Sequence, residues 1–347
     1  MAWEGSHPLS LLRSAKHLAA ASYFHIKNIV KKKRKKKSTP VKVLEYAIVY
    51  MIILVAGAVP LRVMNIAGSM LGDMLFFISS KRRNIAIDNL SKAFGSDKND
   101  KEIKKIARES CGAFFLTFLE IIKFRHLFSS PDRMNTLRQK TKHVDELFKK
   151  AREIHDQSGG CIFVTPHIGN WEVLPHVSSF VGIPLAIVAR PLDNEYLEKL
   201  VYADRTSSGQ ILIPKKNALF TLQKTLRSGT SLGILPDQST MKGIVIDFFG
   251  RPATTTPVPA ILAINYRRPI VVVACCRNKD DDQYGGFVSD PIWPGEYESE
   301  KAEIFRITQE MNRQMEKIIR RYPEQYLWMH NRWKTYKGKK AVLSDRK

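Results

Sequence analysis

The stretch Gly159-Gly160-Cys161-Ile162-Phe163-Val164-Thr165-Pro166-His167-Ile168-Gly169-Asn170-Trp171-Glu172 decides how this chain is read. Its first half is a short, apolar, β-rich run behind two glycines, which reads as a buried strand. Pro166 stops the ladder, and Asn170 is a good N-cap, so Trp171-Glu172-Val173-Leu174 is expected to open a helix. The same texture continues downstream. Further strands are expected at 184–189, 211–213, 231–235, 245–249 and 269–275, with helical patterns at 192–208, 218–227, 257–266 and 299–321. This alternation predicts an α/β fold, a sheet covered on both faces. Upstream the chain is helical: apolar residues recur at three- and four-residue spacing over 85–94, 101–124 and 141–155. The aromatic stripe Phe114, Phe115, Phe118 reads as core.

In α/β folds chemistry gathers where strands end. His167 in the loop and Glu172 in the first helical turn can fold onto each other. A carboxylate on one ring nitrogen fixes the tautomer and raises the basicity of the other. Such a unit can take a proton from a hydroxyl as it attacks a carbonyl, although a histidine satisfied inside a capped loop gives the same pattern. Arg190 and the pair Asp237-Gln238 also follow strands directly. Phe248-Phe249-Gly250-Arg251-Pro252 carries an arginine into a hydroxyl-rich loop. Trp328-Met329-His330-Asn331-Arg332-Trp333 interleaves aromatics with cations. There is no P-loop, no Gly-x-Gly-x-x-Gly and no His-Glu-x-x-His, so nucleotide and zinc chemistry lack support; no metal or cofactor is expected.

The chain of 347 residues carries 56 Lys and Arg against 33 Asp and Glu, a net +23. This excess calls for an acidic partner: nucleic acid, an anionic membrane or an acidic carrier. Residues 1–45 hold eleven cations and two acids (+9), leaving +14 for the rest. The run Lys31 to Lys37 reads as a solvated arm. An uncharged segment follows it, Tyr46 to Pro60, and then a second apolar segment, Val63 to Ser79, which argues for a membrane anchor rather than a nucleic-acid arm. A buried hairpin is the alternative. A catalytic body on the cytoplasmic side requires the first segment to re-enter or lie in the interface, or the second to return across. Four scattered cysteines without a CxxC pair fit a reducing compartment, and Cys161 reads as packing rather than as a nucleophile. The expected organisation is a basic arm over 1–40, a membrane-associating helical segment over 41–80 and a catalytic domain over 81–340.

In order along the chain, TPHIGNWE, ARPLDN, the Arg205-to-Gly209 spacing, LPDQS, FFGRPATT and YLWMHNRWK resemble the motifs of the bacterial lipid A biosynthesis acyltransferases, the secondary, lauroyl- and myristoyl-type enzymes. RRNIAIDNLSKAFG and Leu119-Glu120 also look like theirs, and the likeness spans about residues 44–334. It implies a glycerolipid-acyltransferase-like fold, a central mixed sheet flanked by helices behind an N-terminal apolar membrane-associating helix. It also implies transfer of an acyl group from acyl carrier protein or acyl-CoA to a hydroxyl of a phosphorylated glycolipid acceptor. In that reading His167 is the general base and Glu172 orients it. Backbone groups near Gly169 and Asn170 hold the oxyanion, Asp237 and Gln238 organise the site, and Arg190, Arg205, Arg251 and Arg332 meet phosphates of acceptor or carrier. The expected place is the inner membrane, with the site facing the cytoplasm and no nucleic acid bound. Mycobacterial phosphatidylinositol mannoside acyltransferases share the pattern, so another glycolipid or phospholipid acceptor stays open. A non-enzymatic polybasic binder is the reading from another class.

Overall fold

The computed structural model describes residues 37–129, 132–189, 192–200, 209–214, 218–278 and 283–334. Residues 1–36 of the expected arm, Arg190, Arg205 and residues 201–208 of the helix expected over 192–208 lie outside them.

Four helices open the described residues: α1 (Thr39–Ala58), α2 (Leu61–Ile78), α3 (Ser80–Phe94) and α4 (Asp100–Ser129). Pro60, with no N–H to give, parts α1 from α2 and accepts at its carbonyl from Val63 and Met64. α4 opens on a capping box: Asn99 Oδ1 accepts from Glu102 N at 3.0 Å, and Glu102 Oε2 accepts from Asn99 N at 2.9 Å. The stripe Met64, Gly68, Gly72 and Phe76 of α2 is buried. A Cβ on Gly72 would stand 2.3 Å from Gly112 N of α4, so here the two backbones touch. Asp73 and Arg108 lock the same contact with two hydrogen bonds of 2.5 Å.

The expected membrane segment is thus two helices. Among the described residues, the helix long and apolar enough to cross a bilayer is Leu61–Ile78, not the N-terminal segment Tyr46 to Pro60 singled out in the sequence.

After α5 (Arg133–Lys140) come β1 (Thr141–Lys142), α6 (Val144–Ser158), β2 (Ile162–Val164), α7 (Leu174–Phe180), β3 (Leu185–Ala189), β4 (Ile211–Pro214), α8 (Ala218–Arg227) and β5 (Ser231–Ile234). The chain continues through the hairpin β6 (Ile244–Phe248) and β7 (Arg251–Thr255), then α9 (Val258–Tyr266), β8 (Ile270–Arg277), β9 (Tyr284–Val288) and α10 (Glu300–Arg321). Seven strands form one sheet in the order β1-β9-β8-β2-β5-β3-β4. From β8 to β4 neighbours run parallel; β9 is antiparallel to β8, and β1 is parallel to β9. The architecture is therefore α/β with a central mixed sheet flanked by helices.

Ile162, Val164, Leu232, Ile270, Val271 and Val272 are fully buried, as near-continuous apolar strands covered on both faces should be. Two expectations fail locally. The strand at 245–249 leaves the sheet to pair with β7, and Thr141-Lys142 is extended, so α6 starts only at Val144. The described cysteines are free thiols. Burial pushes Cys161 and Cys275 up to about 12 and Cys111 to about 11, which leaves them protonated and inert.

Candidate active site at the ends of two adjacent strands

β2 and β5 are parallel neighbours whose last register pair is Val164↔Ile234. Thr165 N still reaches Ile234 O at 3.2 Å, and then Pro166 and Pro236 end both ladders. Three residues past the register pair on each strand stand His167 and Asp237. Asp237 Oδ2 accepts from His167 N at 2.9 Å, and Oδ1 lies 2.7 Å from Nδ1. An ionised carboxylate only accepts, so Nδ1 carries the proton and Nε2 keeps its lone pair. Nε2 accepts from the Gln238 amide at 3.3 Å. The Trp171 ring stands edge-on to the imidazole, centroids 5.3 Å apart.

Burial disfavours a charged ring. The charge and hydrogen bond of Asp237, then the charge of Glu172, outweigh it and raise the His167 pKa above 6.5. Asp237, 2% exposed, is penalised by burial but held below the usual carboxylate range by His167, with help from Arg332. The outcome is a ring nitrogen of enhanced basicity at the rim of a sheet, able to take a proton.

The carboxylate on Nδ1 is thus Asp237, not the expected Glu172, which acts on the ring through its charge. The reason is topological. Residues 171–173 form turns, and α7 opens only at Leu174, so Glu172 does not ride a helix that begins at Trp171. Asn170 does not cap it. Its Nδ2 donates to Glu120 Oε2 at 2.8 Å, and the side chain is fully buried.

The backbone donors expected for an oxyanion are also taken: Gly169 N by Gln325 O at 3.2 Å, and Asn170 N by Cys275 O at 2.8 Å. Gly169 has φ +57°, and a Cβ there would stand 2.1 Å from Cys275 O, so only glycine fits. Beneath the loop, Thr117 Oγ1 donates to Gly169 O at 2.7 Å. Glu120 takes a fork from Arg277 at 2.7 and 2.5 Å, and Arg277 reaches Thr117 Oγ1 at 3.1 Å. Arg277 was missed in the sequence because, as the last residue of β8, it carries no motif. Only Leu119-Glu120 hinted at its partner.

The last described segment closes the other side. Leu327 N donates to His167 O at 3.0 Å, and Ile168 bridges Tyr326. Asn89 of α3 holds Trp328 O at 2.7 Å and His330 O at 2.6 Å.

Arg332 does not offer itself to a phosphate. It is 1% exposed, donates to Thr254 O and Thr255 Oγ1 at 2.6 Å each, and stacks 4.7 Å over Phe248. These acceptors and the Phe248 ring, all in the β6–β7 hairpin, hold it inward. Arg251 sits at the hairpin's end, exposed, with Nε donating to Lys92 O near the C-terminus of α3. Behind the loop lies an apolar cleft with about 890 Å³ of empty space, part of it open to solvent; Val173, Leu174, Phe163, Leu185, Cys275 and Phe287 are among its walls. Among the described residues, no three His, Cys, Asp or Glu side chains converge as metal ligands would.

Comparison with known proteins gives the family of the chain. Residues 31–335 match the family model of the bacterial lipid A biosynthesis acyltransferases. A lipid A biosynthesis palmitoleoyltransferase of Escherichia coli is 26% identical over 279 residues, covering 80% of this chain and 86% of that protein. A lipid A biosynthesis acyltransferase of Shigella flexneri matches to the same extent. One of Haemophilus influenzae is 28% identical over 192 residues, 54% of this chain and 59% of that protein, so the chain spans little more than half of that relative's length. The chain belongs to the bacterial lipid A biosynthesis acyltransferase family and is an acyltransferase.

Proposed function

We propose that this acyltransferase moves a fatty acyl group from an acyl thioester to a hydroxyl of a lipid A precursor, with His167 as general base and Asp237 as the residue that orients it. The observation that carries the reading is the Asp237 carboxylate on His167 Nδ1 at 2.7 Å, which leaves Nε2 as the acceptor. Nε2 takes the proton of the acceptor hydroxyl as its oxygen attacks the thioester carbonyl. The tetrahedral intermediate collapses, the C–S bond breaks, and His167 returns the proton to the leaving thiolate. The charge and hydrogen bond of Asp237, which outweigh the cost of burial, stabilise the transient imidazolium.

Protonated Nε2 no longer accepts from Gln238, whose exposed amide is then free to donate to the oxyanion. Glu172 supports the imidazolium through its charge. The apolar cleft beside Val173 and Leu174 suits the acyl chain. The donor is acyl carrier protein or acyl-CoA. An acidic carrier, a phosphorylated glycolipid and an anionic inner leaflet each suit a chain of net +23. Phosphates of acceptor or carrier fall to Arg190, Arg205 and Arg251, with the site on the cytoplasmic side of the inner membrane.

Mass spectrometry of total lipid with and without the gene tests the reading. A gain of one acyl group on lipid A, lost in His167→Ala, is expected. A gain on another glycolipid or phospholipid would correct the acceptor, and no acyl gain on any lipid would reject the function.

A further inference from the structure

We infer that Tyr326 is a positioning residue of the site: its buried hydroxyl is a further donor to Asp237, beside the two from His167, and it holds that carboxylate ionised and aligned under the imidazole. The role rests on His167 being the base, as proposed. The Tyr326 hydroxyl hydrogen-bonds the Asp237 carboxylate, and the chain around it is built to put it there.

The segment that carries Tyr326 is pinned on both sides of it. Before it, the short turn Pro323–Gln325 is closed by Trp328 Nε1, which donates to Pro323 O at 2.7 Å. The Gln325 side chain then pairs with the end of β8 as a strand would. Its Oε1 accepts from Arg277 N at 2.9 Å, and its Nε2 donates to Arg277 O at 2.7 Å. Gln325 O takes Gly169 N, and after Tyr326 the next amide, Leu327 N, donates to His167 O. Tyr326 itself is extended, bridges Ile168 and is 3% exposed, with its ring edge-on to Trp328 at 4.7 Å. The loop that carries His167 is thus the loop that carries Tyr326 against the sheet. One frame sets how both side chains approach Asp237.

The acidities fix what each group does. Burial, and then the charge of Asp237, pushes the Tyr326 phenol well above its usual range, so it keeps its proton and donates. Asp237 stays ionised although it is buried, because His167 and Arg332 hold it there. A carboxylate that accepts one more hydrogen bond is a weaker base. A more basic Asp237 would pull harder on the Nδ1 proton and leave the ring protonated at the pH where Nε2 must accept. A missing Asp237 would free the wrong tautomer. The hydroxyl holds the carboxylate between these two failures. The other charged groups that bear on the pair are Glu172, which raises His167, Arg332, which lowers Asp237, and His330, which burial holds below 6.5. None of them is removed by a change at position 326.

Tyr326→Phe takes one oxygen from a ring that keeps its place against Trp328. Diethyl pyrocarbonate adds to a neutral imidazole nitrogen, so its rate at the His167 peptide of the full chain, followed by mass spectrometry against pH, titrates that ring with no acyl transfer involved. Tyr326→Phe should raise the midpoint by about 0.5–1 pH unit. At about pH 6.5, kcat/KM for acyl transfer should then fall about three- to tenfold, and it should recover to within about twofold at about pH 9 with KM little changed. A midpoint within about 0.2 unit of the parent's, in a variant whose thermal unfolding shows it folded, overturns the role. Difluorotyrosine placed at position 326 fills the same space and donates more strongly, so it should lower the midpoint, and it decides the matter if the phenylalanine variant does not fold. An unmoved or raised midpoint there overturns the role as well. If the midpoints move as expected and turnover does not follow them, His167 is not the base, while its tie to Tyr326 through Asp237 stands.

Discussion

The Asp237 carboxylate holds His167 twice, by the backbone N–H at 2.9 Å and by ring Nδ1 at 2.7 Å, one oxygen to each. The first bond fixes where the loop leaves the sheet, and the second fixes which ring nitrogen faces outward. Asp237→Asn should therefore reduce turnover by about 10²–10⁴-fold, as His167→Ala does, because the wrong tautomer is as harmful as no base. Glu172→Gln should cost less, since it removes a charge but not the orienting bond. Steady-state kinetics on the three variants decide this, and a Glu172→Gln loss larger than that of Asp237→Asn would return the orienting role to Glu172.

The same pair sets a pH dependence. His167 is raised above 6.5, so the neutral, active ring forms only at higher pH, and the acid limb of kcat/KM should lie above 6.5. Asp237→Asn should move the residual limb downward, because burial is then opposed only by the charge of Glu172. For stability the signs are opposite. The raised His167 contributes stability below 6.5 that is lost as pH rises through its folded value. The lowered Asp237 contributes stability above 3.8 that is lost as pH falls through its folded value. Denaturation midpoints from pH 3 to 9 should show the second loss in the parent and not in Asp237→Asn.

Gly169→Ala should be severe for a change of one methyl group. A positive φ costs about 1–3 kcal/mol for a residue with a Cβ, and here the Cβ would also press on Cys275 O at 2.1 Å. Either the loop moves, and activity falls with it, or the protein unfolds several degrees earlier. Thermal unfolding together with kcat separates the two. A variant unaffected in both would show that the backbone is not held as described.

Arg277→Met leaves the Glu120 carboxyl, 2% exposed, without its fork, a loss of about 3–5 kcal/mol. Glu120→Leu combined with Arg277→Met should recover most of that stability. Arg277→Lys should not, because one ammonium nitrogen lacks the planar fork by which Arg277 meets the two Glu120 oxygens from separate nitrogens. Urea denaturation of the three variants reads this directly.

The positions of these groups were legible in the sequence to different degrees. Strand-then-proline at Val164-Thr165-Pro166 and at Ile234-Leu235-Pro236 marks two chain ends at one sheet edge, so His167 and Asp237 could both be named. That they pair depends on β5 lying next to β2, and strand order is written in long-range packing rather than in local periodicity. Glu172 looked the better partner because it is near in sequence. Arg332 looked available because nothing in Asn331-Arg332-Trp333 says that Thr254 and Thr255 are waiting to bury it. β9 escaped notice because Gly285 and Gly286 dilute its apolar signal, and β1 because two residues carry no pattern at all.

The brace supplied by Tyr326, Leu327 and the Asn89 clamp on Trp328 and His330 orders events in time. A ribosome makes α1 and α2 first and this segment some 270 residues later, more than ten seconds at about 5–20 residues per second. During that interval the loop around His167 has no far wall, and Asn89 has nothing to hold. A chain cut short of residue 326 would therefore lack both the wall beside His167 and the partner of Asn89, and should be inert.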